Sequence, residues 1–145
     1  MRTKLYFSLF VAFCIIAVNY YANIYDVYWL FPGFDIPMHI LGGFMVGLFT
    51  LTGLDHIKGS KKLSIISENF KFIKNKALTV LLATIIVGVV WESIEYCFGL
   101  TDGLGAVSRF DTIKDLIDDI IGGVLSIWFW DFIFNKTKIT KTHDK

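Results

Sequence analysis

Asp35 and His39 stand four residues apart at the start of an apolar run. Glu92 and Glu95 stand three apart near the end of another, and Asp111, Asp115, Asp118 and Asp119 crowd into the first half of a third. Residues three or four apart share one side of a helix. Each set therefore projects from one face, and three helices can aim these faces at a common point. Carboxylate oxygens with one imidazole form a donor set for a hard divalent cation, Mg²⁺ or Mn²⁺ before Zn²⁺. Several carboxylates at close quarters do not all ionise uncompensated. They need a bound cation, shared protons, or pairing with the nearby Arg109 and Lys114.

The setting makes the cluster costly. A charged carboxylate at the centre of a membrane span costs about 2.5–3.5 kcal/mol on insertion scales. Glu92, Glu95, Asp115 and Asp119 lie inside their apolar segments, where helix capping does not account for them. Asp35, two residues before Pro37, and Asp111 also occupy positions suited to an N-cap. Asp118 lies about 100° around the helix from Asp119 and ranks behind the others as a site residue. His56, His143 and Asp131 fall at the opposite end of the segments and read as solvated or snorkelling residues.

The elements that must position these residues follow from hydropathy. Of 145 residues, 54% are hydrophobic and only 19% charged, with a mean hydropathy of +0.58. This is room for one membrane domain. Four apolar stretches, about 5–21, 35–54, 77–98 and 111–134, are each near the roughly 20 residues that cross about 30 Å of hydrocarbon. The expected fold is an all-α integral membrane four-helix bundle. Arg2 and Lys4, the six lysines from Lys58 to Lys76, and the four from Lys136 to Lys145 put 12 of the 14 basic residues on one side. By the positive-inside rule both termini are then cytoplasmic, in the plasma or inner membrane. The acidic and histidine set falls within roughly 12 Å of the outer boundary at the helical rise. The apolar run after the first residues continues to Tyr21 without a small-residue cleavage site, which reads as a retained first helix. Between spans two and three, Leu63, Ile66, Phe70 and Ile73 recur at helical spacing among lysines, and the connector at about 59–76 reads as an amphipathic helix on the inner leaflet. Cys14 and Cys97 are far apart in apolar segments and suggest neither a disulfide framework nor a zinc site. No nucleic-acid partner is expected, since the lysines belong to a membrane face.

Spans two and four echo one another. Asp35 to Gly43 and Asp115 to Gly123 both read D-x-x-x-[H/D]-I-[L/I]-G-G. The echo suggests two helical hairpins related by a pseudo-two-fold axis along the membrane normal. His39 and Asp119 would then be counterparts, with glycine pairs one turn deeper allowing close helix approach. Span one carries no match for the two glutamates of span three.

Taken together, these residues resemble the VanZ-like superfamily of small bacterial membrane proteins. That family shows Asp-x-x-x-His at the start of a span and Glu-x-x-Gln or Glu-x-x-Glu late in the next. An Arg follows, six residues before a final Asp-x-x-x-Asn that leads into Gly. The matching positions are Asp35 and His39, Glu92 and Glu95, Arg109, and Asp115 and Asp119 before Gly122. The Glu-x-x-Glu form and Asp111 look closer to the related YjdF-like group of inner-membrane proteins. Ile36 stands where a Lys usually follows the first Asp, and Asp119 replaces Asn; both make the site more acidic. VanZ is associated with low-level resistance to teicoplanin, so the resemblance implies an envelope context and no particular reaction.

Three functional readings follow. In the first, Asp35, His39, Asp111 and Asp119 hold a divalent cation. Arg109 holds a phosphate oxygen, Glu92 or Glu95 is the base, and Asp115 completes the catalytic set on a lipid or lipid-linked substrate at the outer leaflet. The aromatic loop from Tyr25 to Phe34 then covers the site. In the second, the protein binds a lipid or glycopeptide without catalysis and alters antibiotic access. In the third it is a proton- or cation-coupled carrier, which with four helices requires a homodimer.

Overall fold

A backbone that must leave no N–H or C=O unpaired in hydrocarbon closes its hydrogen bonds within each segment. The computed structural model, which describes residues 2–60, 75–98 and 109–135, is helical accordingly, with no strand among the described residues. The elements are α1 (Arg2–Ile24), the single-turn α2 (Val27–Leu30), α3 (Asp35–Gly59), α4 (Lys76–Phe98) and α5 (Arg109–Trp130). A π-helical turn, Asp131–Asn135, continues α5. Three helices, α1, α3 and α4, are long and apolar enough to cross a membrane. The fourth long helix, α5, covers most of the fourth expected stretch but carries six charged residues between Arg109 and Asp119 and does not join the three apolar helices by this measure. The long helices also overrun their apolar stretches: α1 continues past Tyr21 to Ile24, and α3 past Leu54 to Gly59. The expected amphipathic connector falls largely on residues 61–74, outside the described residues.

Ion pairs fix the helix directions. Lys4 of α1 pairs with Asp55 of α3, and Lys76 of α4 pairs with Asp131 just beyond α5 at 2.5 Å. The starts of α1 and α4 thus share one end with the finishes of α3 and α5. It follows that α3 and α5 run in the same direction, with α1 and α4 opposed to them. The most extensive packing is between α3 and α5. α4 lies against both, and α1 lies against α3. Near the Lys4 end, Leu48, Leu51, Leu54, Val80 and Trp130 form a buried apolar core. The Lys4 ammonium lies 4.7 Å from the centre of the Trp130 ring.

The polarity of this structure is reversed from that of a water-soluble domain. Ser8, Thr52, Thr84 and Ser126 are buried between helices, while Phe13 and Trp128 are 71% and 67% exposed. The hydroxyls of Ser8 and Thr52 meet at 2.9 Å between α1 and α3. Small hydroxylated residues between helices and large apolar ones outside suit a hydrocarbon solvent.

α3 and α5 touch backbone to backbone. A Cβ on Gly43 would lie 1.9 Å from the carbonyl oxygen of Asp119, and one on Gly122 would lie 1.9 Å from that of Ile40. These glycines belong to the repeated sequence pattern, and their approach brings the acidic first halves of α3 and α5 together.

Candidate functional site

The site lies at the end opposite the Lys4–Asp55 pair. Asp35 is the first residue of α3, and the N-cap is Phe34, which makes no capping side-chain bond. Asp35 is therefore not the cap that its place before Pro37 suggested. Freed from capping, its carboxylate turns to His39 one turn on: Asp35 Oδ1 is 3.3 Å from His39 Nε2. Asp111 likewise sits inside the first turn of α5 and not at its cap.

His39 is 6% exposed and is surrounded by acids. Asp115 Oδ1 lies 4.0 Å from its Nε2, and Asp119 Oδ1 lies 3.5 Å from its Nδ1. The echoed positions His39 and Asp119 thus face each other across the α3–α5 contact. Among the described side chains of α5, Lys114 supplies the positive charge. Its Nζ lies 3.0 Å from Asp111 Oδ1, 3.1 Å from Asp115 Oδ1 and 3.6 Å from Asp35 Oδ2. The parallel arrangement adds a second source of compensation. Both α3 and α5 begin at this end, and each N-terminus carries a partial positive charge worth about 0.3–1 kcal/mol to a nearby carboxylate.

Compensation is incomplete. Asp115, Asp118 and Glu92 are 3%, 8% and 9% exposed. Asp118 Oδ2 and Glu92 Oε1 have no hydrogen-bond partner among the described residues, and Asp115 Oδ1 meets the Lys114 ammonium at 3.1 Å without an aligned hydrogen bond. Buried polar atoms normally find a partner, so such atoms mark a place where a proton, water or ion belongs. Two sets of ligand atoms have the spacing to converge on one ion: Asp35 with His39 and Asp115, and His39 with Glu92 and Glu95, each within 4.8 Å. His39 is common to both. The first set contains Asp115, which the sequence reading assigned to catalysis. Asp111 keeps to Lys114, and Asp119 takes the second imidazole nitrogen.

A groove of about 310 Å³ between α4 and α5 leads to Glu92. Val89 and Leu116 supply apolar wall, and Ser93, Tyr96 and Thr112 supply polar groups nearby. The aromatic loop approaches from another side. Tyr28 donates its hydroxyl proton to Asn19 Oδ1 at 2.6 Å and stacks edge-on with Phe34. Burial, and then the carboxylates of Asp35 and Glu95, push its phenol up to about 12, so it stays a neutral donor.

Sequence reading singled out Asp35, His39, Glu92, Glu95, Asp111, Asp115 and Asp119, and all lie at this end of the helices. The helix carries Arg109 there too, with its side chain outside the described set. Two residues are more prominent in the structure than their sequence signal. Lys114 was one of two candidate counter-charges and touches three carboxylates. Asp118 was ranked last and is buried with an unpartnered oxygen. The stripe Asp111, Asp115, Asp118 at i, i+4, i+7 was the available signal for Asp118.

Neither a curated protein nor a solved structure matches the chain. A family described as "Predicted membrane protein (DUF2238)" matches it over residues 1–136, covering all four long helices and every residue of the site. The chain therefore belongs to the DUF2238 family of predicted membrane proteins.

Proposed function

We propose that this protein holds a divalent cation, Mg²⁺ or Mn²⁺, between Asp35, His39 and Asp115. The cation serves to bind or act on the phosphoryl headgroup of a lipid or lipid-linked envelope component. The observation that carries this reading is the convergence of those three ligands, their donor atoms within 4.8 Å of one another, on an Asp115 carboxylate that is 3% exposed. The cation would polarise a phosphoryl oxygen or activate water, with Glu92 or Glu95 within reach as base. The groove that opens beside Glu92 and has apolar walls supports a substrate drawn from the bilayer. In this reading all four long helices span the plasma or inner membrane as a bundle. α5 is tolerated there because Asp115 and Asp119 face His39 of α3. The lysine distribution puts both termini inside and the site at the outer surface. The resemblance to the VanZ-like superfamily, through Asp35, His39, Glu92, Glu95, Arg109, Asp115 and Asp119, supports the envelope setting. Arg109 would take a phosphate oxygen.

The test is metal analysis of detergent-purified protein equilibrated with Mn²⁺, wild type beside Asp115→Ala. The expected result is one Mn²⁺ per chain in the wild type and loss of it in the variant. Wild-type protein that retains no Mn²⁺ refutes the reading.

One observation favours a second reading. Both nitrogens of His39 face carboxylates, Asp35 at 3.3 Å and Asp119 at 3.5 Å. A ring protonated on both sides satisfies them as an imidazolium and cannot ligate a metal. The site would then bind a lipid or glycopeptide headgroup without a metal and without catalysis. Lipid binding that is indifferent to chelator and to Mn²⁺ would favour this alternative.

A further inference from the structure

Lys114 and the proposed cation need the same oxygens. Lys114 Nζ lies 3.1 Å from Asp115 Oδ1 and 3.6 Å from Asp35 Oδ2, and both carboxylates belong to the three-residue set that can hold an ion. Neighbouring residues on a helix point in different directions, so the Lys114 side chain has to fold around α5 to reach Asp115. Its third carboxylate, Asp111, lies one turn back on its own helix at 3.0 Å and outside that set. Asp115 Oδ1 is buried, lacks an aligned hydrogen bond, and lies between Lys114 Nζ and His39 Nε2. It is therefore directed at the position that an ammonium or an ion would share. The Lys114 side chain is 41% exposed and has room to withdraw.

We infer that Lys114 is a tethered competitor for the cation site, which sets its affinity and selects doubly charged ions. The inference rests on the cation reading above. Without a divalent ion, the ammonium neutralises Asp35 and Asp115. A divalent ion displaces it, and Asp111 retains it at the mouth of the site. A monovalent ion carries no more charge than the ammonium it must displace and gains little by entering. Removing the ammonium relieves the competition and tightens divalent binding.

The experiment is a Mn²⁺ titration of the full chain in detergent, following the free Mn²⁺ signal by electron paramagnetic resonance. The proteins are wild type, Lys114→Met, Lys114→Gln, Lys114→Arg and Asp115→Asn. Lys114→Met and Lys114→Gln should bind Mn²⁺ at least tenfold more tightly than wild type, and Lys114→Arg within threefold of it. Asp115→Asn should lose binding. In the absence of metal, Lys114→Met and Lys114→Gln should melt earlier than wild type and recover with Mn²⁺. Should Lys114→Met not fold, Lys114→Gln prepared with Mn²⁺ gives the same comparison. Equal or weaker Mn²⁺ binding by the neutral variants, with wild-type binding intact and lost in Asp115→Asn, overturns the competitor role while leaving the cation site standing. No Mn²⁺ uptake by any protein overturns both.

Discussion

Replacing Gly43 by Ala adds one methyl group where the two central helices meet. Its Cβ would lie 1.9 Å from the Asp119 carbonyl oxygen, 2.6 Å from the carbonyl carbon and 2.8 Å from Cα. Ordinary contact begins at 3.4 Å, so α3 and α5 must part by about 1.5 Å. No side chain can swing aside, because all three obstructing atoms are α5 backbone. The separation would carry Asp119 Oδ1 from 3.5 Å to roughly 5 Å from His39 Nδ1, beyond ion-pair range. Overpacking costs typically about 1–3 kcal/mol, and an obstruction made of backbone belongs at the upper end, against a helix-propensity gain of about 1 kcal/mol for Gly→Ala. Gly53 is an internal control on the same helix, since a Cβ there meets nothing within 4 Å. Gly53→Ala keeps the propensity gain alone, and the two variants should differ by about 3 kcal/mol. The assay is thermal unfolding in one detergent, followed by tryptophan fluorescence and by retention on size-exclusion chromatography. Gly43→Ala melting at or above Gly53→Ala would refute the backbone contact and, with it, the way the site is drawn together.

Two further outcomes follow from the same structure. Tyr28 holds its proton to about pH 12 against an ordinary 10.0. The folded state therefore binds this proton more tightly than the unfolded state, and the stability it contributes below pH 10 is lost as the pH rises towards 12. The tyrosinate absorbance of wild type minus Tyr28→Phe should titrate near 12, and a difference curve centred at 10 would contradict the placement of the phenol beside Asp35 and Glu95. Leu48→Ala, at a fully buried core position, should cost about 2–5 kcal/mol, while Phe13→Ala, at 71% exposure, should leave unfolding within about 0.5 kcal/mol of wild type. Equal losses at the two positions in denaturant unfolding would mean that the helices pack by a different face.

The acid and histidine faces were legible in the sequence because they depend on local spacing. Four-residue intervals put Asp35 with His39 and Asp111 with Asp115 on any helix, and the glycine pairs beside them marked where helices close up. What was hidden depends on residues distant in the chain. The capping role of Asp35 was a sound local expectation, yet Phe34 takes that place and His39 draws the carboxylate inward. The reach of Lys114 into the site depends on Asp35, a residue of another helix. The stripe Asp111, Asp115, Asp118 places Asp118 on the acidic side of α5, but its burial depends on which helices pack there. The divided character of α5 was visible in its charges. Its contrast with the three apolar helices emerges when the segments are weighed side by side.

The parallel pairing of α3 and α5, with α4 between them in sequence, bears on the order in which the protein is made. Asp35 and His39 leave the ribosome long before Asp115 and Asp119, and α4 must be in place before α5 can lie beside α3. In the proposed topology α5 is too charged to enter the bilayer unaided. In that topology the Asp119–His39 contact and the backbone approach at Gly43 and Gly122 would be what holds it against α3. Completion of membrane insertion and assembly of the site would then be one event. A chain arrested before α5 would keep the Asp35–His39 contact within α3 and lack Asp115, leaving the three-ligand set incomplete.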